Sequence, residues 1–170
     1  MVRIMQRGVP RTGRRPGGTA ATWGGLAVFA GVTALAAGVG ALAVSGAGQE
    51  YARLDRPDWA PPSWLFPPVW TVLYATIAVS GWLVWRRHGV HPALGVFGLQ
   101  LVLNAIWTPI FFGAGAYGWA VADIVALWLA LGATIGWFWR LSRPAALLLV
   151  PYWAWVSYAT ALTVAIWRAA

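Results

Sequence analysis

Apolar residues run through this chain in long stretches, and the polar positions between them divide it into elements. Pro16 to Gln49 carries no charge, and Trp23 to Ala47 is long enough to cross a bilayer. A hydrocarbon core of ~30 Å takes about 20 apolar residues as a helix. Trp59 to Trp85 is again uncharged, but Pro61, Pro62, Pro67 and Pro68 confine its helix to about Phe66–Trp85. Proline is tolerated there because a helix's first turn has no use for the missing N–H. Between Gly89 and Trp139 the only acid or base besides His91 is Asp123. That stretch is too long for one crossing, and the glycine-rich run Gly113–Gly118 supplies the turn. The pattern predicts spans at about 23–47, 66–85, 92–112, 117–139 and 144–167, with a capping loop over 48–65. All five are expected to be helical, since an open sheet cannot satisfy its backbone in lipid. The expectation is an all-α integral membrane bundle of five transmembrane helices: residues 1–22 form an Arg-rich tail and 23–170 the membrane domain.

Composition excludes the alternatives. Only 9% of the 170 residues are charged and 60% are hydrophobic, whereas a soluble domain carries ~25% charged residues. The net charge of +8 does not mark a nucleic-acid partner, because the basic residues sit in the tail and at span ends. Nine Arg (3, 7, 11, 14, 15, 86, 87, 140 and 143) fall on one side of the five-span topology and three (53, 56 and 168) on the other. Arg excess marks the cytoplasmic side, so the N-terminus is expected on the cytoplasmic side of a bacterial cell membrane. A cleaved signal peptide ending near Ala41–Ala43 is the rival for span one, but its apolar stretch exceeds the usual ~7–15 residues. Gly24, Ala27, Gly31, Ala34 and Gly38 instead form a small-residue stripe of the kind that lets helices approach. Packing within the bundle is the expectation for it, ahead of a dimer seam.

The loop from Gly48 to Leu65 holds three of the four acids, two Arg, two Trp and three Pro, which suggests a structured cap. Fourteen Trp need sorting. Interfacial belts account for Trp23, Trp82, Trp85, Trp137, Trp139 and Trp167. A second set lies only toward the outer half: Trp59 and Trp64 in the loop, Trp70, Trp107 and Trp119 near outer span ends, and Trp155 deeper in span five. Polar or small residues share their helix faces one turn away: Tyr74 with Trp70, Asn104 with Trp107, Asp123 with Trp119, and Tyr152 and Ala159 with Trp155. A carboxylate such as Asp123 inside a span faces a bundle interior or polar cavity, as a structural hydrogen bond or as a ligand contact. Apolar walls with a few placed polar groups describe a small-molecule pocket. No Cys, no His within a span and no acid pair are present, so no metal site, haem attachment or proton relay is expected, and no cofactor is required.

Five strings then carry a resemblance: WAPP at 59–62, FPPVWTVLY at 66–74, LNAIWTPIFF at 103–112, GWAVAD at 118–123 and PYWAWVSYAT at 151–160. In this order the chain resembles the TspO/MBR family, the tryptophan-rich sensory and translocator proteins also known as peripheral benzodiazepine receptors. The resemblance implies a five-helix bundle, often a homodimer, whose pocket is closed by the first loop. It implies binding of porphyrins such as haem and protoporphyrin IX, with pocket positions at Trp70, Tyr74, Asn104, Trp107, Trp119, Asp123, Trp155 and Ala159. The sterol motif of animal members needs a Tyr that the stretch Ala161–Arg168 lacks, and Thr163 stands where the family has Asn.

Three functions compete. A receptor or sensor would stack Trp70, Trp107 and Trp155 on a tetrapyrrole and pair Arg53 or Arg56 with a propionate. An enzyme degrading porphyrin with light and oxygen would use Trp70 and Trp155 as electron carriers. A transporter of hydrophobic ligands is disfavoured by the lack of a coupling-ion site or inverted repeat.

Overall fold

A computed structural model describes residues 19–42 and 47–170; the Arg-rich tail expected over 1–22 lies outside it up to residue 18. Six helices carry these residues: α1 (Thr19–Leu42), a short α2 (Ala47–Arg53), α3 (Phe66–His88), α4 (Ala93–Thr108), α5 (Tyr117–Leu141) and α6 (Arg143–Ala169). A 3-10 turn at Ser63–Leu65 leads into α3, and a π turn at Pro109–Gly113 extends α4. No strand occurs among the described residues. Four segments, Ser63–His88, Ala93–Gly113, Tyr117–Leu141 and Arg143–Ala169, are long and apolar enough to cross a membrane. In α1 the corresponding apolar run, Trp23–Val39, is shorter. The chain is an all-α membrane bundle.

Local sequence sets the element ends. Proline occupies the first turn of α3 and of α6, where its fixed φ suits the helix and no N–H is lost. Between the π turn and α5 the chain reverses at Gly115, whose φ of 59° is open to glycine at little steric cost. Basic residues end α3 at Arg86, Arg87 and His88, where a helix C-terminus favours positive charge. The Arg86 guanidinium lies over Trp82, 4.4 Å from the ring centroid, which anchors that end at an aromatic band.

The five long helices close into a ring ordered α1–α3–α6–α5–α4 and back to α1. Lipid is as apolar as these side chains, so the ring depends on close packing and interhelical hydrogen bonds. Packing is closest where glycine meets an aromatic ring. A Cβ on Gly25 would overlap Trp85, and one on Gly81 would come within 2.7 Å of Phe29 and 2.8 Å of Phe97. Phe97 and Phe138 stack at 5.7 Å and fill the half of the bundle away from the loop. Side chains also tie helix to helix: Ser80 Oγ donates to Ala145 O at 2.7 Å, and Trp128 Nε1 to Ser157 Oγ at 2.8 Å.

The small-residue stripe of α1 differs from expectation. Gly24, Ala27, Gly31 and Ala34 are exposed, and a Cβ on Gly24, Gly31 or Gly38 would meet nothing within 4 Å. The stripe faces outward. Gly25, one position on, takes the intramolecular contact, because one residue turns the side chain by about 100° on a helix of 3.6 residues per turn.

Candidate functional site

The loop before α3 is built into a cap. Glu50 in the first turn and Arg53 in the last turn of α2 sit at the ends the helix dipole favours. Tyr51, 4% exposed, donates its hydroxyl to Pro61 O at 2.9 Å and stacks edge to face on Phe66. The Arg56 guanidinium lies over the same ring, 4.5 Å from its centroid, and its Nε is buried without a hydrogen-bond partner. Tyr158 of α6 donates to Trp59 O at 2.9 Å. Prolines stiffen the segment between these two bonds.

Beneath the cap three helices meet through one polar chain. Tyr74 (α3) donates to Asn104 Oδ1 at 2.7 Å, and Asn104 Nδ2 (α4) donates to the Tyr152 hydroxyl (α6) at 3.0 Å. Asn104 and Tyr152 are buried. A carboxamide presents both a donor and an acceptor, which is why a single Asn on α4 can link two tyrosines from two other helices. Each such bond in a membrane bundle contributes about 0.6–2 kcal/mol.

Aromatic rings are layered on this chain. Trp70 lies 5.2 Å from Tyr74 and edge-on to Tyr152 at 6.0 Å. Trp155 meets Phe66 edge to face at 5.9 Å, and Trp107 stacks on Phe111 at 4.9 Å. The indole N–H groups of Trp107 and Trp155 are buried and have no hydrogen-bond partner. Ala159 packs against the same core. The structure therefore brings Trp70, Tyr74, Asn104, Trp107, Tyr152, Trp155 and Ala159 into one cap-end layer of the bundle.

Other expected residues stand apart. Trp64 is 69% exposed and Trp119 is 76% exposed, so neither ring lies within the bundle. Trp59 is half exposed and packs on Tyr158 at 5.7 Å, which gives it a place in the cap. Asp123 and Trp119 line a separate groove with Ile110, Ala114, Ala116 and Ala122. Asp123 is 9% exposed and its Oδ2 is buried with no partner. Of the two roles open to this carboxylate, the structural hydrogen bond is not made to any described residue.

Sequence patterning missed Gln100. It is fully buried on α4, one turn from Asn104, with neither amide atom partnered among the described residues. A Gln inside an apolar span was the available signal. Patterning also missed Tyr158, whose role depends on a contact 99 residues away in sequence. Among the described residues no three His, Cys, Asp or Glu side chains gather as a metal set. His88 instead makes a 3.1 Å contact with Leu141 O, and His91 Nδ1 accepts from Ala93 N.

The TspO/MBR family model matches residues 27–168, from within α1 through nearly all of α6 and every residue of the layer described above. The chain belongs to the TspO/MBR family. Among its TspO/MBR relatives, the translocator protein of Homo sapiens is 42% identical over 132 residues, covering 74% of this chain and 78% of the human protein. The tryptophan-rich protein TspO of Chlorobaculum tepidum is 42% identical over 116 residues, with coverage of 66% and 73%. The tryptophan-rich sensory protein of Cereibacter sphaeroides is 38% identical over 112 residues, with coverage of 66% and 71%. This TspO/MBR chain is a multi-pass membrane protein whose long apolar helices contact the lipid bilayer.

Proposed function

We propose that the protein is a membrane receptor for porphyrin-type tetrapyrroles, haem or protoporphyrin IX, held between the cap and the Tyr74–Asn104–Tyr152 chain. The observation that carries this reading is the pair of buried, unpartnered indole N–H groups on Trp107 and Trp155. An indole N–H only donates, and an unmade donor in an apolar site costs about 1–3 kcal/mol. A ligand that offers large flat apolar surface together with acceptor atoms relieves that cost. A porphyrin is such a disc, with two propionates as acceptors. Stacking on Trp70, Trp107 and Trp155 supplies the apolar contact. Arg56, whose Nε has no hydrogen-bond partner, supplies the cation for a propionate in this reading. Relatives named for translocation and for sensing are in keeping with a ligand-binding role.

Two features of assembly belong to the same reading. The nine-to-three Arg distribution puts the N-terminus in the cytoplasm and the cap outside. A homodimer has its seam in the outward stripe of α1, where small residues allow two helices to approach. Because the chain has no Cys, oxidative crosslinking of Gly31→Cys reports that seam directly; monomer alone would remove it.

Titration with protoporphyrin IX tests the ligand. Quenching of Trp fluorescence is expected to saturate, and Trp107→Ala or Trp155→Ala to weaken binding by about 1–3 kcal/mol, the loss usual for a buried aromatic anchor. Trp137→Ala and Trp139→Ala, exposed at the opposite end, are expected to leave affinity unchanged. Equal losses from both pairs would sink the reading.

A further inference from the structure

The end of the bundle away from the cap carries charge of one sign only. Arg86 and Arg87 lie in the last turn of α3, Arg140 lies in the last turn of α5 and Arg143 opens α6. All four are exposed. The acids of the sequence are Glu50, Asp55, Asp58 and Asp123, and the first three belong to the cap segment. Asp123 is seventeen residues from Arg140 on α5, about 25 Å at 1.5 Å per residue. No side-chain carboxylate is therefore within reach of these four guanidiniums.

Three contacts make one surface of them. His88 Nε2 donates to Leu141 O at 3.1 Å, which fastens the end of α3 to the junction of α5 and α6. Arg87 and Arg140 flank that contact in sequence. The Arg86 guanidinium lies 4.4 Å from the Trp82 ring centroid, and that of Arg143 lies 5.8 Å from Trp139, itself half exposed. Indoles at span ends mark the headgroup level, so guanidiniums laid over them are held at that level. The start of α1 is at this end too, since Gly25 meets Trp85. The eighteen residues before Thr19 add five Arg and no acid.

We propose that this face binds anionic phospholipid, with the headgroup phosphate clamped between Arg86 and Arg87 on one side of the His88–Leu141 contact and Arg140 and Arg143 on the other.

The chemistry selects that occupant. A guanidinium laid over an indole keeps its edge N–H groups for an anion, and its fork matches two oxygens of a phosphate. Basic clusters beside a membrane span attract anionic lipid, and a phosphodiester is the anion present at headgroup depth. A nucleic acid or acidic protein would draw the guanidiniums out into solvent, which the two cation–π contacts oppose. A choline headgroup brings its own cation beside the phosphate, against four arginines. A glycerol headgroup brings none, so phosphatidylglycerol is favoured over phosphatidylcholine. No residue of this face belongs to the aromatic layer, and the proposal stands independently of tetrapyrrole binding.

The test uses full-length protein in phosphatidylcholine bilayers with trace spin-labelled lipids. Electron paramagnetic resonance reads the fraction of each lipid immobilised on the protein. Salt at about 0.5 M screens diffuse attraction to within a few ångströms and leaves close contacts. A pH of about 8 keeps an ordinary imidazole neutral. Under these conditions phosphatidylglycerol is expected to associate severalfold more strongly than phosphatidylcholine. Arg86→Gln, Arg87→Gln, Arg140→Gln and Arg143→Gln combined are expected to abolish that preference. Arg86→Lys with Arg143→Lys keeps the charge but loses the fork, and is expected to lower it. His88→Leu removes no arginine and is expected to lower it as well, because the two pairs are no longer held together. Arg168→Gln, at the other end of α6, is expected to leave it unchanged. Equal association of the two lipids, or a full preference in the fourfold Gln variant, would overturn the proposal. An unchanged preference in the Lys pair or in His88→Leu would overturn the clamp in favour of diffuse charge, as would an equal fall in Arg168→Gln. Displacement of phosphatidylglycerol by millimolar inorganic phosphate at constant ionic strength would overturn it in favour of a soluble-phosphate site.

Discussion

Tyr158 and Trp59 are joined twice: the Tyr158 hydroxyl donates to the Trp59 backbone carbonyl at 2.9 Å, and the two rings meet edge to face at 5.7 Å. This contact fastens the cap to α6 beside Trp155, whose ring lies 5.7 Å from that of Tyr158. The aromatic layer and the cap over it thus share one helix face.

Releasing that fastening gives the first prediction. Tyr158→Phe keeps the ring contact and removes one hydrogen bond, with a stability loss of about 0.5–1.5 kcal/mol. Stopped-flow dissociation of protoporphyrin IX is expected to quicken several-fold while thermal stability falls slightly. An unchanged dissociation rate would mean the cap does not limit ligand exit.

Asn104→Leu is expected to be more damaging. It leaves the hydroxyls of Tyr74 and Tyr152 unpaired in the bundle core, and two lost bonds with stranded polar groups amount to about 2–4 kcal/mol. The check is a thermal shift in detergent. Adding Tyr74→Phe to Asn104→Leu is expected to recover part of the loss, since a hydroxyl with no partner is then removed. A further loss on adding that second change would contradict a linked polar chain.

Gly25→Val tests the closest helix approach. A side chain there overlaps Trp85, so α1 and α3 must separate, and overpacking of this kind costs about 1–3 kcal/mol. Gly31→Val, on the open stripe, is expected to leave monomer stability unchanged. Measured melting temperatures for the two variants separate them, and similar values would show that α1 is rotated from the position described.

Orientation is tested by reporter fusion after Ala170. Activity is expected only from an external reporter, because the Arg-rich side holds nine Arg against three. A working cytoplasmic reporter would invert the topology.

Much of this was legible from spacing alone, and what was not has a physical reason. Charge-free stretches and prolines mark helices because bilayer thickness and backbone hydrogen bonding leave few alternatives. The pairing of Trp70 with Tyr74 follows from the four-residue repeat and appears as rings 5.2 Å apart. The same rule paired Trp119 with Asp123, yet one is 76% and the other 9% exposed. Four residues advance a helix by slightly more than a turn, enough to put the two on either side of a groove edge. Which side of α5 meets α4 and which meets α6 depends on the ring order, and that order is absent from local spacing. The same limitation hid the outward turn of the α1 stripe. The link between Asn104 and Tyr152 joins residues 48 apart, beyond the reach of any helical period.

The ring order also bears on when this protein becomes competent during synthesis. Neighbours in sequence are not all neighbours in space: α3 and α4 are joined by a four-residue turn, yet α1 packs between them on one side, and α6 fills the place between α3 and α5 on the other. A nascent chain that has released α1 to α5 has an open seam where α6 belongs. Tyr152, Trp155 and Tyr158 all arrive with α6. The polar chain, the aromatic layer and the cap fastening are therefore completed together, only when α6 joins the bundle.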